Sequence, residues 1–158
     1  MSPATTQAKK NKHLIIAVDD SDSARRAVLY VADLLGGVPG FIATLISIIP
    51  EKEMDFFDSE QEKDAWIEQQ LVSANAMLEQ YRRLLVQSGF PQDAVRVQVC
   101  VEARKSLSEA ILETRCDASC CTVVVGRGHK TKTEEFLFGS ISSRLIHEAQ
   151  SCAVWVVE

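Results

Sequence analysis

The chain has 158 residues, 46% of them hydrophobic, which is enough for one domain with a sizeable core and too little for two comfortable ones. A formal net charge of −5 argues against docking on the phosphates of a nucleic-acid duplex, which needs a concentrated Lys/Arg surface. No apolar run approaches the ~20 residues that cross a bilayer, and no apolar segment resembling a signal peptide follows the basic residues near the start. Nucleic acid and membrane are therefore not expected partners, and a cytoplasmic location is expected.

Residues 1–11 are polar without periodicity and read as a mobile tail, leaving residues 12–158 as a single domain. "HLIIAV", ending at Asp19, is an unbroken apolar run of the kind that forms a strand covered on both faces. From Ser21, the residues Ala24, Ala27, Val28, Val31, Ala32 and Leu35 recur at three- and four-residue steps, which predicts an amphipathic helix stopped by Gly36 and Gly37. "FIATLISII" predicts a second strand ended by Pro50. The stretch "EKEMDFFDSEQ", Glu51 to Gln61, has no period and reads as a long connection whose aromatics cover an edge of the domain. Ile67, Leu71, Ala74, Leu78, Tyr81 and Leu85 then draw one stripe along a long helix that stops near Ser88-Gly89.

"VRVQVCV" alternates like a strand with unequal faces, and Leu107, Ala110 and Ile111 return to helical spacing. "CTVVVG" is a buried strand, Ile141, Leu145 and Ile146 mark a helix over Ser140 to Ala149, and "AVWVVE" is a last strand. Strict alternation of five strands with helices predicts an α/β, Rossmann-like fold: an open five-stranded parallel sheet with helices on both faces, because parallel neighbours require crossover connections. The odd number of cysteines, Cys100, Cys116, Cys120, Cys121 and Cys152, gives neither a disulfide framework nor a closed metal site.

In such a sheet a ligand binds beyond the carboxyl ends of the strands where strand order reverses, here expected between the first and fourth strands. Their ends are "AVDDSDS" and "VVVGRGHKTK". Gly126 and Gly128 let the backbone approach a ligand and take positive φ without cost. Gly139 and Ser140 precede a helix, so their amides and the Ser140 hydroxyl form a candidate phosphate cradle. The bland reading is equally open: the glycines turn the chain, and Ser140 or Ser142 caps a helix. The pattern is neither GxGxxG nor GxxxxGK[ST]. Lys130 and Lys132 are opposed by Glu134 and Glu135 and read as a solvated loop. Ser21 or Asp22 caps the first helix, leaving Asp19 as the better ligand candidate for an adenine amino or ribose hydroxyl group. Three carboxylates, Asp19, Asp20 and Asp22, beside a triphosphate call for Mg²⁺.

"HLIIAVDDSDSARRAVLYVADLLGG" together with "TVVVGRGHKTKTEEFLFGSISSRLIHEAQSCAVWVVE" resembles the universal stress protein family, from about His13 to Glu158 and most weakly between Glu51 and Gln92. The family pattern is G-x-x-G, nine residues, then G-[ST]; Gly126 and Gly139-Ser140 fit it without a gap, while His129 stands at the second glycine and Gly128 one place early. The resemblance implies ATP or AMP held by Asp19, Ile48, Gly126, Gly139 and Ser140. The expected site adds Val18, Val125, Gly128, His129, Ile141 and Ser142. It also implies a homodimer through the last strand, Ala153 to Val157, which is an apolar edge otherwise open to uncontrolled pairing. The expected function is a non-catalytic, nucleotide-binding stress-response regulator; the alternative is a homodimeric scaffold of the same family without nucleotide. His129, Asp19 and Lys130 have no recognisable catalytic spacing, and "FGSIS" is not a nucleophile elbow, so no catalytic residue is assigned.

Overall fold

The computed structural model describes residues 12–50, 57–102, 122–127 and 152–158, together with Glu109 and His147, both helical. In chain order these form β1 (Lys12–Ala17), α1 (Asp22–Leu35), β2 (Phe41–Pro50), α2 (Glu60–Ser88), a 3-10 turn at Gln92–Ala94, β3 (Val95–Glu102), β4 (Thr122–Gly126) and β5 (Ala153–Val157). The expected helices around Leu107 to Ile111 and Ser140 to Ala149 fall outside the described residues except at those two helical positions, as do residues 1–11.

All five strands are parallel, in the order β3-β2-β1-β4-β5. The central strand explains its own composition: Leu14, Ile15 and Ile16 are each buried, because β1 has a strand on either side and a packed layer on either face. Even-numbered residues of β1, Leu14 and Ile16, face α1 and α2 together with Ala43, Leu45, Val95 and Val124. Ile15 lies on the opposite face with Ile46, Val123 and Val125. The same-face placement of α1 and α2 follows from handedness, since two successive right-handed crossovers in one direction along a sheet stay on one side.

Ser21 caps α1, its Oγ accepting a hydrogen bond from the Ala24 amide at 3.2 Å. The helix buries Ala24, Ala27, Val28, Val31, Ala32 and Leu35, the six positions its periodicity marks. Helix α2 starts earlier than its sequence pattern suggests, at Glu60, so Glu60 and Gln61 belong to the helix and not to the preceding connection. Ser59 is its cap, accepting from the Glu62 amide at 3.2 Å. Phe57 packs on Trp66 with ring centroids 5.5 Å apart, so this aromatic of the connection braces the start of α2, while residues 51–56, on which the expected edge cover also rests, lie outside the described residues.

The two helices end side by side. Gly89, the C-cap of α2, has φ 123°, and a Cβ there would collide with the backbone nitrogen of Gly37. One residue therefore supplies both the left-handed conformation that ends the helix and the space that lets α2 meet the end of α1.

Candidate functional site: the carboxyl edge between β1 and β4

From β1 the chain moves outward through β2 to β3, then returns to place β4 and β5 on the other side of β1. The reversal point therefore lies between β1 and β4, where the register sets Ala17 beside both Ile46 and Val125. The Val18 amide donates to the Ile46 carbonyl at 2.9 Å, extending the ladder by one bond before the chain turns. Asp19 follows, half-buried. Its Oδ1 accepts from the Ser21 amide at 2.9 Å, which fixes the carboxylate and leaves Oδ2 without a hydrogen bond to any described residue.

The first turn of α1 is satisfied in part from within. The Ser21 amide is taken by Asp19, the Ala24 amide by Ser21 Oγ, and the Arg25 amide by the Ser21 carbonyl at 3.2 Å, while Ser21 Oγ and Ser23 Oγ lie 3.2 Å apart. Asp22 adds a negative charge in the same turn. The expected Ser21 cap is thus present, the Asp22 and Ser23 amides have no acceptor among the described residues, and the carboxylates of Asp19 and Asp22 make the turn acidic, which suits a hydrogen-bond donor better than a bare phosphate.

Gly126 ends β4 and is buried. Among the described residues positive φ is found at Gly37, Gly40 and Gly89 and not at Gly126, so the freedom expected of it is not used. Its small size is used: a Cβ would lie 2.5 Å from both the carbonyl carbon and oxygen of Ser23 and 2.9 Å from the Ala24 nitrogen. The absence of a side chain lets the start of α1 dock on the end of β4, closing one side of the crevice.

The remaining expected site residues divide by face. The Val18 side chain is buried in the core beneath α1 and α2. Val125 lies on the opposite face, with half-buried Ile48 packed against the same cluster. Ile48 and Val125 thus share one face of the sheet at its carboxyl edge, Val18 lies on the other, and Asp19 stands in the turn just beyond β1. Gly128, His129, Gly139, Ser140, Ile141 and Ser142 lie outside the described residues.

Two features escape a reading of local pattern. Tyr81 belongs to the apolar stripe of α2, yet its phenol responds to the turn after β1: burial pushes its pKa up, the charges of Asp19, Asp20 and Asp22 add to the rise, and Arg25 opposes it. At the other end of β1, buried His13 Nε2 is hydrogen-bonded to Thr44 Oγ1 of β2 at 2.7 Å. Among the described residues no group of three or more His, Cys, Asp or Glu is arranged to hold a metal, and no helix is long and apolar enough to cross a membrane.

A five-stranded parallel sheet in this order, with a half-buried carboxylate at its reversal point, defines an α/β domain of the kind that binds small ligands at its carboxyl edge. The sequence model of the Universal stress protein family matches residues 10–158, and the chain belongs to that family. Solved structures share the fold. Universal stress protein UspA from Lactobacillus plantarum superposes with a TM-score of 0.74 at 12% identity, over 94% of this chain and 98% of that one. The universal stress protein of Archaeoglobus fulgidus in complex with dAMP gives 0.63 at 17% identity, over 92% and 96%. A universal stress protein in complex with cAMP gives 0.65 at 14% identity, over 94% and 97%. Among curated proteins, none matches the chain significantly.

Proposed function

We propose that this chain is a cytoplasmic, non-catalytic regulatory protein that binds an adenine nucleotide, ATP or AMP, in the crevice between β1 and β4. The observation that carries the reading is Asp19: a carboxylate at the reversal point, oriented by the Ser21 amide through Oδ1, with Oδ2 left to accept from an adenine amino or ribose hydroxyl group. Ile48 and Val125, on the opposite face from Val18 at the carboxyl edge, are the apolar residues proposed to line the crevice with Asp19. The capped, acidic start of α1 favours the nucleoside end of the ligand there, so the phosphates belong on the β4 side, with Gly128, His129, Gly139, Ser140, Ile141 and Ser142 as the proposed residues around them. The dAMP and cAMP complexes of two fold relatives support the choice of adenine. With a triphosphate, Mg²⁺ would offset repulsion between the phosphates and the carboxylates of Asp20 and Asp22.

Calorimetric titration of nucleotide-stripped protein with AMP, ATP and GTP tests the reading. Adenine nucleotides are expected to bind, GTP to bind at least tenfold more weakly, and Asp19→Ala to weaken AMP by about tenfold, the loss of one charge-assisted hydrogen bond. Equal binding of AMP and GTP, or no effect of Asp19→Ala, would overturn it.

The proposal includes a homodimer through β5. Of the two outer strands, β3 carries Arg96, Gln98 and Glu102, whereas β5 reads AVWVV with no charge. Charged residues are what protect an edge from pairing, so β5 is the edge left open to it. That same edge favours the second reading, a homodimeric scaffold without nucleotide, which predicts an intact dimer and no heat with any nucleotide.

A further inference from the structure

Just past β4 stands a cation at a position that the family pattern leaves open. Arg127 occupies the first free place of G-x-x-G. Its amide donates to the Val157 carbonyl at 2.7 Å, which carries the β4–β5 ladder one bond beyond Gly126, so its backbone is fixed by the sheet. Alternation along β4 puts it on the face of Val123 and Val125, away from α1. Ala17 pairs with both Ile46 and Val125, and two residues further along each chain the row reads Asp19, Ile48 and Arg127. Among the described residues of the sheet the other cations, Lys12 and Arg96, stand at the amino ends of β1 and β3, so Arg127 is the one at the carboxyl edge.

Its guanidinium is held loosely. Arg127 Nη1 lies 3.5 Å from Glu158 Oε1, close enough for an ion pair but long for a hydrogen bond, and the two side chains are 52% and 78% exposed. Solvent screens such a pair, which contributes little. A phosphate monoester offers the same guanidinium a dianion with several acceptor oxygens, on which its planar fork makes two parallel hydrogen bonds. Between one exposed carboxylate and such a ligand, the phosphate is the stronger partner.

Resting on the proposed nucleotide site, we infer that Arg127 binds the phosphate of the nucleotide whose nucleoside Asp19 holds, and that Glu158 competes with the ligand for the same guanidinium. Neighbouring strands are about 4.8 Å apart. A guanidinium anchored at the end of β4, in the row of Asp19, therefore reaches a 5′-phosphate carried by a ribose lying over β1. The phosphate side of the crevice then has its fixed positive charge on β4, across from the acidic turn that follows β1. Glu158, beyond the end of β5, sets how freely that charge is available: a bound phosphate draws the guanidinium off the carboxylate, and its departure returns it.

Calorimetry with adenosine beside AMP separates this inference from the reading beneath it, because adenosine lacks the phosphate. Arg127→Gln should weaken AMP about tenfold, the loss of a charge-assisted contact, and leave adenosine unchanged. Glu158→Gln should tighten AMP about two- to fivefold in the unmodified background and have no effect on AMP in the Arg127→Gln background. Both side chains are largely exposed, so denaturant unfolding should show each variant folded. Unchanged AMP binding by Arg127→Gln, or an equal loss of adenosine and AMP, overturns the phosphate role. Glu158→Gln without effect on AMP, or with the same effect whether or not Arg127 is present, overturns the competition. In both cases adenosine binding that depends on Asp19 leaves the nucleoside reading standing, whereas folded protein that takes up neither ligand ends both.

Discussion

At Gly126 the chain has no room for a side chain, because the carbonyl group of Ser23 occupies the position a Cβ would take. Gly126→Ala should therefore cost about 1–3 kcal/mol in denaturant unfolding, as overpacking at a close backbone contact does. A glycine needed only for ligand approach would leave stability unchanged. Ser21→Ala removes the α1 cap and should cost about 1 kcal/mol, while Asp22→Ala, which donates no cap, should cost less. The capping serine and the half-buried carboxylate before it were readable, since both follow from short-range spacing. The packing partner of Gly126 was not: the glycine was legible as special, but which backbone presses on it depends on how α1 docks across the sheet. Tyr81 illustrates the same limit, its phenol sensing charges more than fifty residues away in sequence. Its pKa is raised in the folded protein, so the folded state holds the phenolic proton more tightly than the unfolded chain. The stabilisation is complete below the ordinary tyrosine range near 10 and is lost as pH rises through the folded value. Tyr81→Phe should accordingly flatten the fall in stability measured as pH rises above about 10.

Helix α2 shows how one element divides its work along its length. Its 29 residues span about 43 Å. Its buried positions, Ala74, Leu78 and Leu85, run from the midpoint of the helix toward its end, and the helix packs on α1, β2 and β3. Leu78→Ala should destabilise by about 2–5 kcal/mol, and Leu71→Ala, at a half-buried position of the same stripe, by clearly less in the same assay. The stripe itself was legible because its spacing continues unbroken from Ile67 to Leu85. The beginning of the helix was missed because Glu60 to Lys63 carry charge on every side and so show no period. The overlooked signal was Ser59 followed by Glu62, a serine cap with an acidic residue three positions on. Strands were easier than helix starts, since "HLIIAV" and "TVVVG" must be apolar on both faces to serve at the centre of a parallel sheet.

For the whole molecule, alternating strands and helices were enough to forecast one parallel sheet, and handedness then leaves few topologies. The position of the proposed site follows from the fold and not from any motif: strand order reverses beside β1, and Asp19 stands just beyond that strand. The Ser21 cap was legible, but the bond by which Asp19 takes the Ser21 amide was not, and it is the acidic turn so formed that sets a proposed nucleoside side of the crevice apart from a proposed phosphate side. The central claim is that Asp19 holds adenine or ribose at this reversal point. Calorimetry of AMP binding to nucleotide-stripped protein, run beside folded Asp19→Ala, tests it most directly. AMP is expected to bind the unmodified protein measurably and the variant about tenfold more weakly, the cost of one lost hydrogen bond to a charged group. AMP binding of equal strength in both proteins would contradict it.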